Sequence, residues 1–231
     1  MTIFNQSLQL SYCPKHFREL TTMVLRKQGK DNYTILGSYR PIGLLNTIGK
    51  IMNAIIAQRL SYMAETHGLL PSTHIGGQKG RSTEHALHHI INKIYKAWNR
   101  GRGQVASLLL LDVSGAFDNM SHQQLLHNLR KRKINEKTVR WIASMLKDQY
   151  TRISIDGFKT ERAKVRIGTV QGSPLSPVFY IFYNADLIEE YNRVDNTAAT
   201  GFINDVAIIT WGATTMETYS KLQQALQSAK Q

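Results

Sequence analysis

Cysteine is nearly absent. Cys13 is the only one among 231 residues, which excludes an internal disulfide and makes a reducing, intracellular compartment the simpler expectation. Acidic side chains are scarce as well: 16 Asp and Glu stand against 29 Lys and Arg, a formal net charge of +13. Such an excess points to an anionic partner, nucleic acid first and an anionic membrane surface second. No apolar run approaches the ~18 residues needed to span a bilayer. Met1 to Leu10 lacks the basic patch followed by an apolar stretch that marks a secretory signal. Internal repeats, low-complexity tracts, linkers and positive localisation signals are missing too. What is present is a hydrophobic share of 42%, enough for a sizeable core in one large domain or two small ones and too high for a disordered tail.

The periodicities predict a mixture of strands and helices. Val24 to Arg26 reads as a short strand before the basic turn Lys27-Gln28-Gly29-Lys30. Leu44 to Thr66 and Ser82 to Asn99 repeat apolar residues at helical spacing, the first ended by Gly68 and Pro71. Val105 to Leu111 is a nearly continuous apolar run, expected as a central strand covered on both faces. Ser121 with Gln124 forms a capping box for a helix through Arg132, and Glu136 to Lys147 is a further helix. Thr151 to Ile155 and Phe158 to Ile167 flank the two-residue turn Asp156-Gly157. Ser173-Pro174 heads a helix expected to reach about Tyr191, and a last helix covers Met216 to Ala229. The fold class is therefore α/β or α+β.

Four segments carry chemistry. In Leu108-Leu109-Leu110-Leu111-Asp112-Val113-Ser114-Gly115-Ala116-Phe117-Asp118 a carboxylate ends an apolar strand, where a bare charge is costly unless a cation binds it; a helix N-cap would read the same way. Gly201-Phe202-Ile203-Asn204-Asp205-Val206-Ala207 places an acidic tip between apolar arms. Beside the first strand it would let Asp205 and Asp112 share divalent ions, and alone it is equally an Asn-Asp turn. Gly168 to Pro177 combines glycines with a helix N-terminus, a place for anions or simply a capped junction. Arg26, Lys27, Lys30 and Tyr39-Arg40-Pro41-Ile42 form a basic cluster suited to phosphate or to solvent. Two further patterns fail. Gly76 to Thr83 is one residue short of a phosphate-binding loop between its glycines, carries Arg81 where Lys belongs and follows no strand signal. His85 and His89 stand i, i+4 on a helix but lack a third zinc ligand.

In this order the segments resemble the conserved blocks of reverse transcriptases from non-LTR retrotransposons of the jockey and LINE type. Tyr39 to Ile42 resembles the fingers motif, Gln78 with Gly80 to Thr83 the next block, Asp112 through Asp118 the first palm motif, Gln171 to Pro177 the second, and Phe202 to Asp205 the aromatic-x-Asp-Asp hairpin. Leu126 to Arg132 and Phe182 to Leu187 look most like fungal elements. The resemblance runs from about Pro14 to the end.

It implies a right-hand polymerase, 1–104 mainly fingers and 105–231 mainly palm with an RRM-like antiparallel sheet, the two interleaved. By position, Asp112 and Asp205 would be catalytic metal ligands, helped by the Val113 carbonyl. Phe117 would be the gate against a ribose 2′-hydroxyl. Arg40 with Lys27 would hold the incoming triphosphate, and Gln171 and Gly172 would line the nucleotide pocket. Two Mg2+ ions, with Mn2+ as a substitute, would serve an RNA template, a DNA primer and dNTPs. No membrane partner is implied, and the nucleus is the place the family suggests.

Departures from the family pattern lower the expected activity. Asn204 stands where the family has the first hairpin Asp, and an amide brings no charge to Mg2+. Ile75 replaces an aromatic residue common in the family. The chain is expected to lack the thumb and the endonuclease domain of a full element, as a partial copy would. A non-catalytic nucleic-acid-binding relic and an inert mobile-element fragment stay open as rival readings.

Overall fold

The computed structural model describes residues 2–99 and 103–228. Along the chain these form α1 (Thr2–Gln9), α2 (Lys15–Arg18), β1 (Glu19–Arg26), β2 (Tyr39–Leu45), α3 (Thr47–Thr66) and α4 (Thr83–Asn99). Strand β3 (Val105–Leu111) is followed by α5 (His122–Lys131), α6 (Glu136–Leu146), β4 (Gln149–Ile155), β5 (Phe158–Lys159) and β6 (Ala163–Val165). Helices α7 (Leu175–Tyr183) and α8 (Ala185–Arg193) lead to β7 (Thr197–Phe202), β8 (Asp205–Gly212) and α9 (Thr215–Ser228). The last helix was expected to reach Ala229, which lies outside the described residues. Two compact units result, each assembled from two stretches: Met1–Leu60 with Gly115–Ser176, and Ser61–Ser114 with Pro177–Gln231.

The first unit is built on a sheet of order β2-β1-β4-β5, with β6 also paired to β4. Strand β1 runs antiparallel to β2, with Met23 opposite Ile42, and parallel to β4, with Thr21 opposite Arg152. It starts at Glu19, earlier than the expected Val24, because its first residues are partly buried on both faces and show no alternation. Leu44 and Leu45, expected to be helical, end β2. Asn46 then caps α3 by accepting from the Gly49 N–H (2.6 Å). Ser121 caps α5 through the Gln124 N–H (3.3 Å), while the Gln124 side chain turns to Asn128 (2.8 Å) instead of back to the cap. The Asp156-Gly157 turn forms as expected, both residues at positive φ (46° and 86°). Trp141, Leu125, Leu129 and Ile142 are fully buried, and Arg18 closes the end of α6 by donating to the carbonyls of Ser144 (3.1 Å) and Lys147 (2.8 Å). Burial pushes the Cys13 thiol up to about 12, so it stays a packed thiol and not a nucleophile.

The second unit is built on a sheet of order β3-β8-β7. Leu109 and Leu111 pack with Ile188, Tyr191, Ile208 and Ala225 against α8 and α9, whereas Ile209, Trp211 and Ala198 pack against Ala97, Ile90 and Ile94 of α4. Two expectations are corrected here. Strand β3 is an edge strand among the described residues, with Leu108 44% and Leu110 69% exposed. The central, fully buried strand is β8, where Val206 to Trp211 are all buried. An apolar run reports what a strand can bury, and the neighbours decide what it does bury. The helix expected from Ser173 to Tyr191 is broken at Asn184 into α7 and α8, where the Asn184 amide donates to the Ile203 carbonyl.

Within the first unit a loop clamp joins the 117–122 segment to 168–169. Gly168 N–H donates to the Met120 carbonyl (2.9 Å), Thr169 N–H to the Phe117 carbonyl (2.6 Å), and His122 Nε2 to the Gly168 carbonyl (2.6 Å). Gly168 has φ 83°, and a Cβ there would lie 2.4 Å from the Asp118 carbonyl oxygen. Gly168→Ala is therefore expected to destabilise the chain by about 2–4 kcal/mol, because the strained φ and the backbone clash add. Urea unfolding followed by circular dichroism checks this.

Candidate active site

The ladder between β3 and β8 ends with Leu111 opposite Val206. One step further along the same register stands Asp112 opposite Asp205, the first residue of β8. Strands β7 and β8 pair up to Phe202 and Asp205, so the turn residues are Ile203 and Asn204 and not the Asn204-Asp205 pair that the sequence suggested. The Asn204 amide lies between the two carboxylates. Its Nδ2 is 3.5 Å from Asp112 Oδ1 and 3.3 Å from Asp205 Oδ1. Burial, and then the Asp112 charge beside it, hold the Asp205 carboxyl above the usual carboxylate range. The same two anions reach Tyr180 of α7. Burial, Tyr183 and the Asp112 and Asp205 charges together push its phenol up to about 12.

Two mutually repelling carboxylates around a rotatable amide fit a divalent cation. The cation would cancel the repulsion, and turning the amide presents Oδ1, a neutral oxygen ligand. Among the described residues no group of three or more His, Cys, Asp and Glu is placed to hold a metal; here the third member of the cluster is Asn204. Val113, the residue after Asp112, is exposed.

The first unit brings together a second set. Gln171 Nε2 donates to both carboxylate oxygens of Asp118 (3.2 and 3.1 Å), which aims the amide, and the Gln171 carbonyl accepts from the Gly43 N–H (2.7 Å). Gly172 sits at φ 108°, where a Cβ would lie 3.0 Å from the Gly43 carbonyl oxygen. Both glycines thus permit β2 to lie against the Gln171 loop. Asp118, Gln171, Pro41, Gly43 and Gly168 line one cavity of about 210 Å³. Phe117 is half-buried in the clamped loop. Arg40 is exposed on β2 opposite Leu25, while Lys27 Nζ donates to the Gly37 carbonyl (2.9 Å).

The two rejected patterns have other duties. Residues 73–76 pair with Gly201 of β7, so the segment entering the glycine-rich stretch braces a strand. His85 Nδ1 accepts from the Ser82 N–H (3.1 Å), and His89 Nδ1 pairs with Thr200 Oγ1 (2.8 Å). The sequence reading missed Asp118 as the partner of Gln171, Tyr180 beside the carboxylates, and the buried pair His74 and Asn184. The aromatic and apolar run through α7 hid Tyr180 and Asn184, and only the polar residue interrupting that run marked the second.

The like charges also make a prediction for Asp205→Asn. A carboxyl whose folded pKa is raised binds more protons folded than unfolded, so it lowers stability as pH rises through that interval. Removing Asp205 is expected to raise the Tm of the metal-free chain at neutral pH, with the gain vanishing at pH values where Asp205 is protonated. Scanning calorimetry across acid to neutral pH in a chelating buffer reads this out.

The family described as "Reverse transcriptase (RNA-dependent DNA polymerase)" matches residues 25–231. The "RNA-directed DNA polymerase from mobile element jockey" of Drosophila melanogaster is 29% identical over 99% of this chain and 25% of its own length. A "Retrovirus-related Pol polyprotein from type-1 retrotransposable element R2" of Popillia japonica is 27% identical over 82% of this chain and 25% of its own length. The chain thus spans about a quarter of the length of these curated relatives. Both are insect elements, which lend no support to the expected closeness to fungal ones. Among solved structures, apo telomerase from Candida tropicalis, truncated from its C-terminal domain, superposes with a TM-score of 0.66 at 12% identity, covering 97% of this chain and 50% of that one. That likeness shows a shared reverse transcriptase fold. With blocks, fold and family match in agreement, the chain belongs to the reverse transcriptase family.

Proposed function

We propose that the chain carries the nucleotidyl-transfer centre of an RNA-directed DNA polymerase, extending a DNA primer on an RNA template with dNTPs, and that Asn204 weakens it. The observation that carries this reading is the meeting of Asp112 and Asp205 around the Asn204 amide. In it Asp112, Asp205 and the Val113 carbonyl hold divalent ions, Mg2+ or Mn2+. These ions, when bound, activate the primer 3′-hydroxyl and stabilise the leaving pyrophosphate. Arg40 and Lys27 take the triphosphate charge. Phe117 stands as the gate against a 2′-hydroxyl, and Gln171 and Gly172 border the nucleotide, with Asp118 aiming the Gln171 amide. In this reading residues 1–104 are mainly fingers and 105–231 mainly palm, the two interleaved.

The non-catalytic reading keeps one specific support. An amide donating to both carboxylates partly replaces the cation that they would otherwise need, which favours a metal-free pair.

Primer extension on an RNA template with Mg2+ tests the proposal. The chain is expected to give little product, and Asn204→Asp to raise it by about two to four powers of ten, since the Lewis-acid contribution that a third carboxylate supports is worth several kcal/mol. Equal, robust extension in both would refute the role given to Asn204, and none in either would favour the nucleic-acid-binding relic. Arg40→Ala is expected to raise the KM for dNTP more than it lowers kcat, measured by steady-state incorporation in the Asn204→Asp background. RNA affinity of the +13 chain should fall steeply with added salt, as counterion release requires.

A further inference from the structure

The turn that carries Asn204 and Asp205 is held in a conformation that its own residues disfavour. Ile203 has φ 59°, the left-handed region, which a β-branched side chain resists. Two-residue hairpins with a positive φ at the first turn position ordinarily place glycine, asparagine or aspartate there, not a β-branched residue. Something outside the turn must fix it.

Two linked side-chain contacts do so. The Ile203 carbonyl accepts from Asn184 Nδ2 (2.8 Å). Asn184 Oδ1 accepts from His74 Nε2 (2.8 Å), which requires the Nε2–H form of the ring. Asn184 is 8% and His74 0% exposed. The chain of donors has one sense: were the Asn184 amide reversed, its oxygen would face the Ile203 carbonyl and its nitrogen the His74 N–H. His74 therefore sets the direction of Asn184, and Asn184 sets the plane of the peptide that enters Asn204.

His74 is fixed in turn by backbone. Gly201 N–H donates to the Thr73 carbonyl (3.0 Å), and Ile75 N–H to the Gly201 carbonyl (2.7 Å). Gly76 packs so close to the turn that a Cβ would lie 2.5 Å from the Ile203 nitrogen. The break between α7 and α8 falls at Asn184, where the apolar run yields a polar residue able to reach the turn.

We propose that His74 and Asn184 are positioning residues for the divalent-ion site at Asp112 and Asp205, acting by locking the left-handed Ile203 turn. This rests on the metal-binding reading given above. A purely structural pair would lower the melting temperature when removed and leave ion affinity in the folded chain unchanged. A positioning pair changes ion affinity while the chain stays folded.

The test is Mn2+ binding by electron paramagnetic resonance on the full chain at neutral pH, beside thermal melts of each variant. Loss of binding in Asp205→Asn identifies the site. Asn184→Ala is expected to weaken Mn2+ binding by about ten- to a hundredfold, the range seen when groups that orient metal ligands are removed. His74→Leu fills the space without a donor and is expected to do the same, whereas His74→Gln, which keeps an N–H facing Asn184, is expected to recover most of the affinity. The His74 pair keeps the proposal testable should Asn184→Ala fail to fold. Mn2+ affinity equal in the parent, Asn184→Ala and His74→Leu chains overturns the positioning role alone. No Mn2+ binding by the parent chain overturns the metal-binding reading and this inference with it.

Discussion

The register of β3 against β8 is the constraint on which the site depends. Seven residue pairs from Val105↔Gly212 to Leu111↔Val206 bring Asp112 opposite Asp205 at the end of the ladder. A slip of one residue would turn Asp112 to the opposite face and pair Asp205 with an apolar side chain. The slip is opposed chiefly by β8, which is buried from Val206 onward between helices on its two faces. Burying that strand in another register would send its Ile and Trp side chains to the wrong layers, at several times the cost of one misplaced contact. Core packing thus fixes a spacing between two anions that repel each other.

Repulsion of that kind is tolerated only with compensation. In this chain part of it comes from the Asn204 amide, whose Nδ2 reaches both carboxylates. The amide relieves the pair without neutralising it, and the raised Asp205 carboxyl is the residue of that imbalance. A third carboxylate at the same place would sharpen the repulsion and the affinity for cations together. The side chain at position 204 therefore sets how much of the repulsion is relieved in the metal-free site.

The first unit uses a different device. Its glycines at 43, 168 and 172 leave no room for side chains against neighbouring backbone or packed residues, so β2, the 117–122 segment and the Gln171 loop approach backbone to backbone. Gln171 arrives in that loop already aimed by Asp118. Side chains held this way lose little freedom when a ligand binds, which is how a loop can act with the precision of a rigid element.

Much of this was legible in the chain itself. The charge excess, the ordered blocks and the strand-end and hairpin aspartates pointed to the family and to the residues that meet, because local pattern and turn chemistry act over a few neighbours. The Ser121 cap and the Asp156-Gly157 turn were readable for the same reason. What tertiary structure alone decided was which apolar strand is central: β8 and not β3, since burial depends on neighbours that the run itself does not name. It also decided the break at Asn184, where a bond to the Ile203 carbonyl from 19 residues away outweighs the helical pattern, and the pairing of Asn184 with His74, 110 residues away. Hydrogen bonds between residues so distant along the chain leave no periodicity behind, so only the folded backbone could reveal them.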